Sequence, residues 1–588
     1  MSRLPIIAAA FAVLAACAGQ EPVPEQVGEQ LSEPEPRPSA NIEVPERAFP
    51  KDSLYELLAA EFGLRRRAYD VALDRYLAQA PILRDPGVSA HATHLAQYLQ
   101  DEKALLESAR LWVELEPDNL EARNILARQL VRGGDNAQAL PHLAAIQRRG
   151  HPASFPILLN EFSSLPAGER ADLMRKIEEL AHEFPDNTSL LLTLALAHHE
   201  LGRNELAMSR LERLFEKAPD QPQALLLEAK IRADEGDENP FARVERVLDE
   251  EPDNRTLRLR YARLLTATDM RAAREQFEIL AGQSPDDGDL LFSLALINRE
   301  IGDAERASTY LRQLLELGKR VDEAHYYLGR IEEERNNPEK AISHYQAIDV
   351  GQEYMAANNR IGEILLDSGQ VKRSRDWFER QRGSNPDQRD RLFGLEAELL
   401  ARAGAPEKAM DLLDNALRET PGSEALLYAR AMLHEQQGDL LAMETDLRAI
   451  LAANPDNATA LNALGYTLAN RTRRYDEALS LVSRALALQP DEPAILDSMG
   501  WVLYRMGRHE EALGYLKRAY AEFPDPEVAA HLGEVMWTLG NSEGARDVWR
   551  TAALREPDHP VLRETLQRLG IENLDLPTAS PAAGEPGS

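Results

Sequence analysis

Cysteine is almost missing from this chain: one residue, Cys17, in 588. No intrachain disulfide can form. The usual signatures of chemistry are missing too. There is no glycine-rich phosphate loop, no His-Glu-x-x-His and no Gly-x-Ser-x-Gly, so phosphate-binding, zinc-hydrolase and serine-hydrolase chemistry lack their characteristic spacings. Basic residues are outnumbered, with 67 Lys and Arg against 98 Asp and Glu and a formal charge of −31. Nucleic acid and bare anionic membrane are poor partners for such a surface. The acids are spread along the chain, which reads as a solvated face and not as one acidic dock.

Histidine adds little. His91 and His94 are three residues apart, and His198, His199 and Glu200 are contiguous, but neither group has a third or fourth ligand at useful spacing. Arg65, Arg66 and Arg67 form a short basic run that reads as a solvated helix face. No catalytic residue, metal or cofactor is expected, and the chain reads as non-enzymatic.

What is present begins with residues 1–16. Arg3 precedes an apolar stretch from Leu4 to Ala16, too short to remain across a bilayer, and this reads as a secretory signal peptide. Leu14-Ala15-Ala16-Cys17 resembles the bacterial lipobox, which implies that Cys17 becomes a lipidated, triacylated N-terminus. Several acyl chains, at about 0.8 kcal/mol per buried CH₂, would anchor the protein durably. Ala18 stands where inner-membrane retention of enteric lipoproteins takes Asp, so the resemblance points to the periplasmic face of the outer membrane. Residues 17–50 are rich in Pro, Glu and Gln. Such a segment buries too little apolar surface to fold and should serve as a tether of roughly 30 Å reach. The tail, 571–588, is expected to be disordered for the same reason.

Between tether and tail, proline recurs with a nearly fixed period, at Pro117, Pro152, Pro185, Pro219, Pro252 and Pro285 and again at Pro386, Pro421, Pro455, Pro490, Pro524 and Pro557. A period near 34 built from two amphipathic helices is the tetratricopeptide signature. Twelve residues before the proline slot come small residues, among them Ala207, Ala273, Ala307, Ala341, Ala409, Ala512 and Ala545. Twelve residues before those come Ala195, Ala295, Gly329, Ala397, Gly500 and Gly533. The two helices of a hairpin must approach closely there. Each proline should end a second helix, and the Asp or Asn after it should cap the next.

The expected fold is therefore all-α: an α-α superhelix of about fifteen helical hairpins starting near Ser53, closed by a capping helix over Val561 to Leu569, with no single globular core. Residues 51–152 keep the period but are expected to lose the small residues and form plain helical pairs. The regular repeats should run over 153–570.

Three segments carry a closer resemblance: Leu461 to Leu479 (LNALGYTLANRTRRYDEAL), Leu496 to Gly507 (LDSMGWVLYRMG) and Ala529 to Trp537 (AAHLGEVMW). Together with the lipobox they resemble the proteobacterial tetratricopeptide-repeat lipoproteins of the LbcA type, binding partners of a periplasmic carboxy-terminal processing protease. That resemblance implies a right-handed superhelix whose concave wall is made by the first helix of each hairpin. Tyr466, Trp501, Tyr504 and Trp537 would then face a protein-binding groove, as rings typical of binding hot spots. Trp501→Ala would weaken partner binding and leave melting nearly unchanged. The implied function is a non-catalytic adaptor that holds the protease at the membrane and presents peptidoglycan cross-link hydrolases for proteolysis. The alternatives are a scaffold for polysaccharide export or outer-membrane assembly, and an enzyme whose site lies in the N-terminal hairpins. No nucleic acid or small-molecule substrate is expected.

Overall fold

A computed structural model describes residues 50–571 and Leu574. The expected signal peptide, Cys17 with its lipobox-like sequence, the expected tether before Pro50 and nearly all of the tail lie outside the described residues. Among the described residues every regular element is helical. The chain divides between Leu290 and Leu291 into two compact units.

Both units are built by the same local rules. Where a hairpin ends on X-Pro-Asp-Asn, the four residues close a turn with proline at its second position, where a fixed φ is favoured. Asn187 donates its backbone N–H to the Phe184 carbonyl at 3.1 Å, and Asn457 donates to Asn454 at 3.2 Å. The asparagine at the fourth position then caps the next helix: Asn187 accepts from the Leu190 N–H and Asn457 from the Ala460 N–H. The cap is thus one residue later than expected from the sequence at these repeats, because the Asp after proline is spent inside the turn. At Pro524, where Asp525 begins the helix, the expected residue does cap. Within a hairpin the first helix often stops at a glycine of positive φ, such as Gly507 (81°) and Gly540 (86°). The next residue folds its N–H back onto the helix, as Arg508 does on the Leu503 carbonyl at 2.9 Å.

The small residues lie where the helices meet. Ala207, Ala273, Ala307, Ala341, Ala409, Ala512 and Ala545 are fully buried. A Cβ added to Gly500 would sit 2.5 Å from Leu516 and 3.2 Å from the Ala512 carbonyl oxygen, and one on Gly533 would run into the Trp549 indole. Glycine costs about 1 kcal/mol in a helix interior, and this close packing offsets it. Gly362 and Gly465 occupy the same slot, the latter 2.5 Å from Val482 by the same measure.

The unit before Leu291 corrects one expectation. Residues 51–152 do not lose the small pairs: Ala60 with Ala72, Ala92 with Ala104, and Ala127 with Ala139 keep the twelve-residue spacing and all are buried. They belong to the hairpins Ser53–Arg65 with Tyr69–Leu83, Pro86–Leu99 with Glu102–Leu115, and Leu120–Arg132 with Asn136–Arg148. The irregular hairpin is the next one. Two 3₁₀ turns, Phe155–Leu159 and Phe162–Ser164, stand where a first helix is expected before Ala167–Glu183. Pro152, Pro156 and Pro166 crowd this stretch, and each removes a helical donor.

In the unit after Leu290 the last hairpins are α1 (Glu424–Gln436) with α2 (Leu440–Ala453), α3 (Ala458–Arg471) with α4 (Tyr475–Leu488), α5 (Pro493–Arg505) with α6 (His509–Glu522), and α7 (Pro526–Thr538) with α8 (Ser542–Arg555). The helix α9 (Pro560–Arg568) closes them. Each unit's core is a succession of apolar clusters drawn from neighbouring hairpins, not one centre. Burial is therefore between successive modules, as in a repeat stack. No helix of the described residues is long and apolar enough to cross a membrane.

Candidate functional site

The first helices of the last hairpins and the closing helix, α1, α3, α5, α7 and α9, line an open groove of about 1350 Å³. Second helices stay out of it because their apolar faces are spent on the hairpins to either side. Side chains from successive first helices therefore become neighbours although they lie about one repeat apart in sequence.

The groove's centre is a buried charged pair. His531 on α7 points its Nδ1 at both oxygens of Asp497 on α5, each at 3.0 Å, and both residues are buried. Burial opposes charge on the imidazole. Asp497, together with Glu527 and Glu534, outweighs that penalty and holds His531 above its ordinary value. The ring also stacks on the Trp501 indole, with centroids 4.1 Å apart and planes 23° from parallel, a face that favours the charged form of the imidazole.

Around this pair the polar groups are tied. Tyr466 donates its hydroxyl hydrogen to Glu527 at 2.8 Å. Burial and the adjacent Glu527 carboxylate push its phenol up, so it remains a donor. Glu534, 1 % exposed, accepts two hydrogen bonds from Arg568 on α9 at 2.6 and 2.5 Å. It accepts a third from the Tyr504 hydroxyl at 3.0 Å. The Trp501 Nε1–H donates to Asn470 on α3 at 3.3 Å. Most of these links join one repeat to the next, and the Tyr466–Glu527 bond reaches past α5 to the repeat after it, so the groove wall is tied together along its length.

The structure brings Tyr466, Trp501 and Tyr504 together in this wall and leaves Trp537 outside it. Trp537 lies 5.9 Å from Trp549 on α8 and under the Arg546 guanidinium, so its ring faces its own hairpin. Trp501 is 6 % exposed. It is part of the packed wall, and melting cannot be indifferent to its removal. Asp497, Glu527, His531 and Glu534 were missed by sequence reasoning. Their signal was available: Asp497 interrupts Ala494-Ile495-Leu496 before Met499, and His531 interrupts Ala529-Ala530 before Leu532.

The histidines singled out in the sequence lie outside this groove. His91 contacts the Gly87 carbonyl at 2.8 Å, His94 contacts Glu121 at 3.0 Å, and His199 contacts Asn204 at 3.0 Å. His198 is in the core, where burial holds it below its ordinary value. Arg65, Arg66 and Arg67 are exposed. Among the described residues no group of three or more His, Cys, Asp or Glu is arranged to hold a metal ion.

The central pair sets a pH dependence. Because the folded value for His531 lies above the unfolded one, the pair's contribution is complete below about pH 6.5 and is lost as pH rises through the folded value. Asp497→Asn keeps the shape and removes the charge-assisted bond. It is expected to cost about 2 kcal/mol near pH 6 and less near pH 9. Thermal melting of wild type and variant at both pH values checks this, and an equal loss at both would show that the imidazole does not change its charge over that range.

The tetratricopeptide repeat matches residues 174–231, 263–307, 299–352, 456–521 and 498–560. The TPR repeat-containing protein PA4667 of Pseudomonas aeruginosa is 38% identical over 527 residues, covering 89% of each chain. Bacteriophage adsorption protein A of Escherichia coli is 31% identical over 105 residues, 18% of this chain and 10% of that one. Among solved structures, that of Naa15/Naa10 bound to HypK-THB aligns over 88% of this chain and 96% of that chain, with a TM-score of 0.42 and 12% identity.

Proposed function

The chain belongs to the tetratricopeptide-repeat family, and from that premise we propose that it is a non-catalytic adaptor held by lipid on Cys17 at the periplasmic face of the outer membrane. Its partner is a periplasmic carboxy-terminal processing protease, and its cargo is that protease's substrates, peptidoglycan cross-link hydrolases among them. The observation that carries the adaptor reading is the groove itself. A pre-tied wall of aromatic rings and carboxylates, contributed by five helices, is suited to recognising protein surface. The finer reading rests on the resemblance of the Leu461–Leu479, Leu496–Gly507 and Ala529–Trp537 segments to the protease-partner lipoproteins.

A second surface suits an adaptor with two partners. On the first hairpin Leu54, Tyr55, Leu58 and Phe62 share one helix face and are all exposed, at 61%, 69%, 49% and 59%. Tethering two proteins to one chain raises their effective concentration without any new contact between them.

The test is capture followed by cleavage. The full-length lipoprotein in detergent should co-purify with the processing protease, and adding it to the protease should speed degradation of a cross-link hydrolase by tenfold or more, in the manner of effective-concentration gains of roughly 10²–10⁴. Co-purification with a β-barrel exporter or a polysaccharide synthase in place of the protease, or an unchanged cleavage rate, would overturn the proposal.

A further inference from the structure

The groove is acidic. Its wall carries seven carboxylates against three guanidinium groups and one imidazole. Most of the cations are already committed. Arg568 is held by Glu534, Arg471 by Glu435, and His531 by Asp497. Arg505 lies over the Trp501 and Tyr475 rings. Four carboxylates, Glu492, Asp525, Glu527 and Glu564, have no ion-pair partner among the described residues. Glu527 receives only the Tyr466 hydroxyl, and Asp525 only the Glu527 backbone N–H.

These acids do not stand alone. Tyr428, Met432, Tyr466, Val528 and Val561 give the same wall an apolar side. An acidic occupant would meet repulsion, and a wholly apolar one would strip water from four unpaired carboxylates. A bare cation would leave the rings uncovered. Only an occupant that offers both kinds of group satisfies the wall. Its extent also selects a polymer. Five first helices packed at roughly 8–10 Å intervals span roughly 40 Å, the length of about twelve extended residues.

We infer that the groove takes an extended polypeptide segment that carries both lysine or arginine and apolar side chains. The cations seat against Glu492, Asp525, Glu527 and Glu564, and the apolar side chains seat against Tyr428, Met432 and Tyr466. This deepens the adaptor reading and rests on it: the segment is the feature by which a substrate or partner is gripped. The chain's overall acidity makes the groove's selectivity, and not mere attraction, the property to measure.

Fluorescein-labelled peptides of about twelve residues, one of alternating leucine and lysine and one of alternating leucine and glutamate, are titrated into the full-length protein and followed by anisotropy. The lysine peptide is expected to bind at least tenfold more tightly. Glu492→Gln/Glu564→Gln, both on the exposed rim, should lower its affinity about tenfold. The control pair Glu407→Gln/Glu510→Gln is equally exposed but outside the groove, and should change it less than twofold. Equal losses from the two pairs would show diffuse attraction and overturn the inference. Tyr428→Arg separates the two levels. If it abolishes capture of the protease or hydrolase while peptide charge makes no difference, the channel stands and the basic occupant is wrong. If capture is indifferent to Tyr428→Arg, the channel reading itself fails.

Discussion

Trp501→Ala is expected to cost about 3–5 kcal/mol and to lower the melting of the C-terminal hairpins, not merely to weaken binding. The indole is 6 % exposed, stacks on His531 and donates to Asn470. Its removal empties a volume between α3, α5 and α7 and uncovers the His531–Asp497 pair. Trp501→Phe separates packing from stacking. It keeps an aromatic face for the imidazolium and loses the indole hydrogen bond, so it should cost about 1–2 kcal/mol. Thermal melting of both variants checks the order. If the alanine variant melts like wild type, the ring is a surface residue and the wall described here is wrong.

Trp549→Ala is expected to be equally costly, about 3–5 kcal/mol, but its effect should stay local. Trp549 is fully buried, sits in the space that Gly533 leaves, and donates to the Ala530 carbonyl at 3.4 Å. It joins α8 to α7 in the last hairpin. In a stack whose modules touch only their neighbours, a lost contact at the end loosens the end first. Hydrogen exchange should accelerate over 526–571 and stay near wild type in the hairpins before residue 420. Uniform acceleration along the chain would mean that the repeats fold as one cooperative body.

The repeat period, the small-residue slots and the closing helix could be read directly from spacing, because each hairpin solves the same packing problem with the same few residues. Two features could not. The alanine pairs of the first three hairpins, Ala60 with Ala72, Ala92 with Ala104 and Ala127 with Ala139, escaped because alanine is too common to stand out where other repeat signals are weak. The 3₁₀ segments before Ala167 escaped because the proline at position 152 kept the period while Pro156 and Pro166 removed the helix.

The groove was legible as rings and illegible as a charge network. Tyr466, Trp501 and Tyr504 follow from the register of their helices. Trp537 shares Tyr504's register, yet Trp549 and Arg546 on its own hairpin turn it away, and register alone does not decide between two flanks. Asp497 and His531 lie 34 residues apart. Their partnership appears only once α5 and α7 are laid side by side, because each alone is a polar interruption in an apolar run.

On the proposed function, partners dock in the channel formed by first helices. A photo-crosslinking amino acid placed at Tyr428, in the channel wall, or at Leu441, 77% exposed on the second helix α2, tests it in living cells. Crosslinks to a processing protease or a wall hydrolase from position 428, with none from position 441, are the predicted result. Crosslinks from 441 alone would place the partners on the outer face and contradict it.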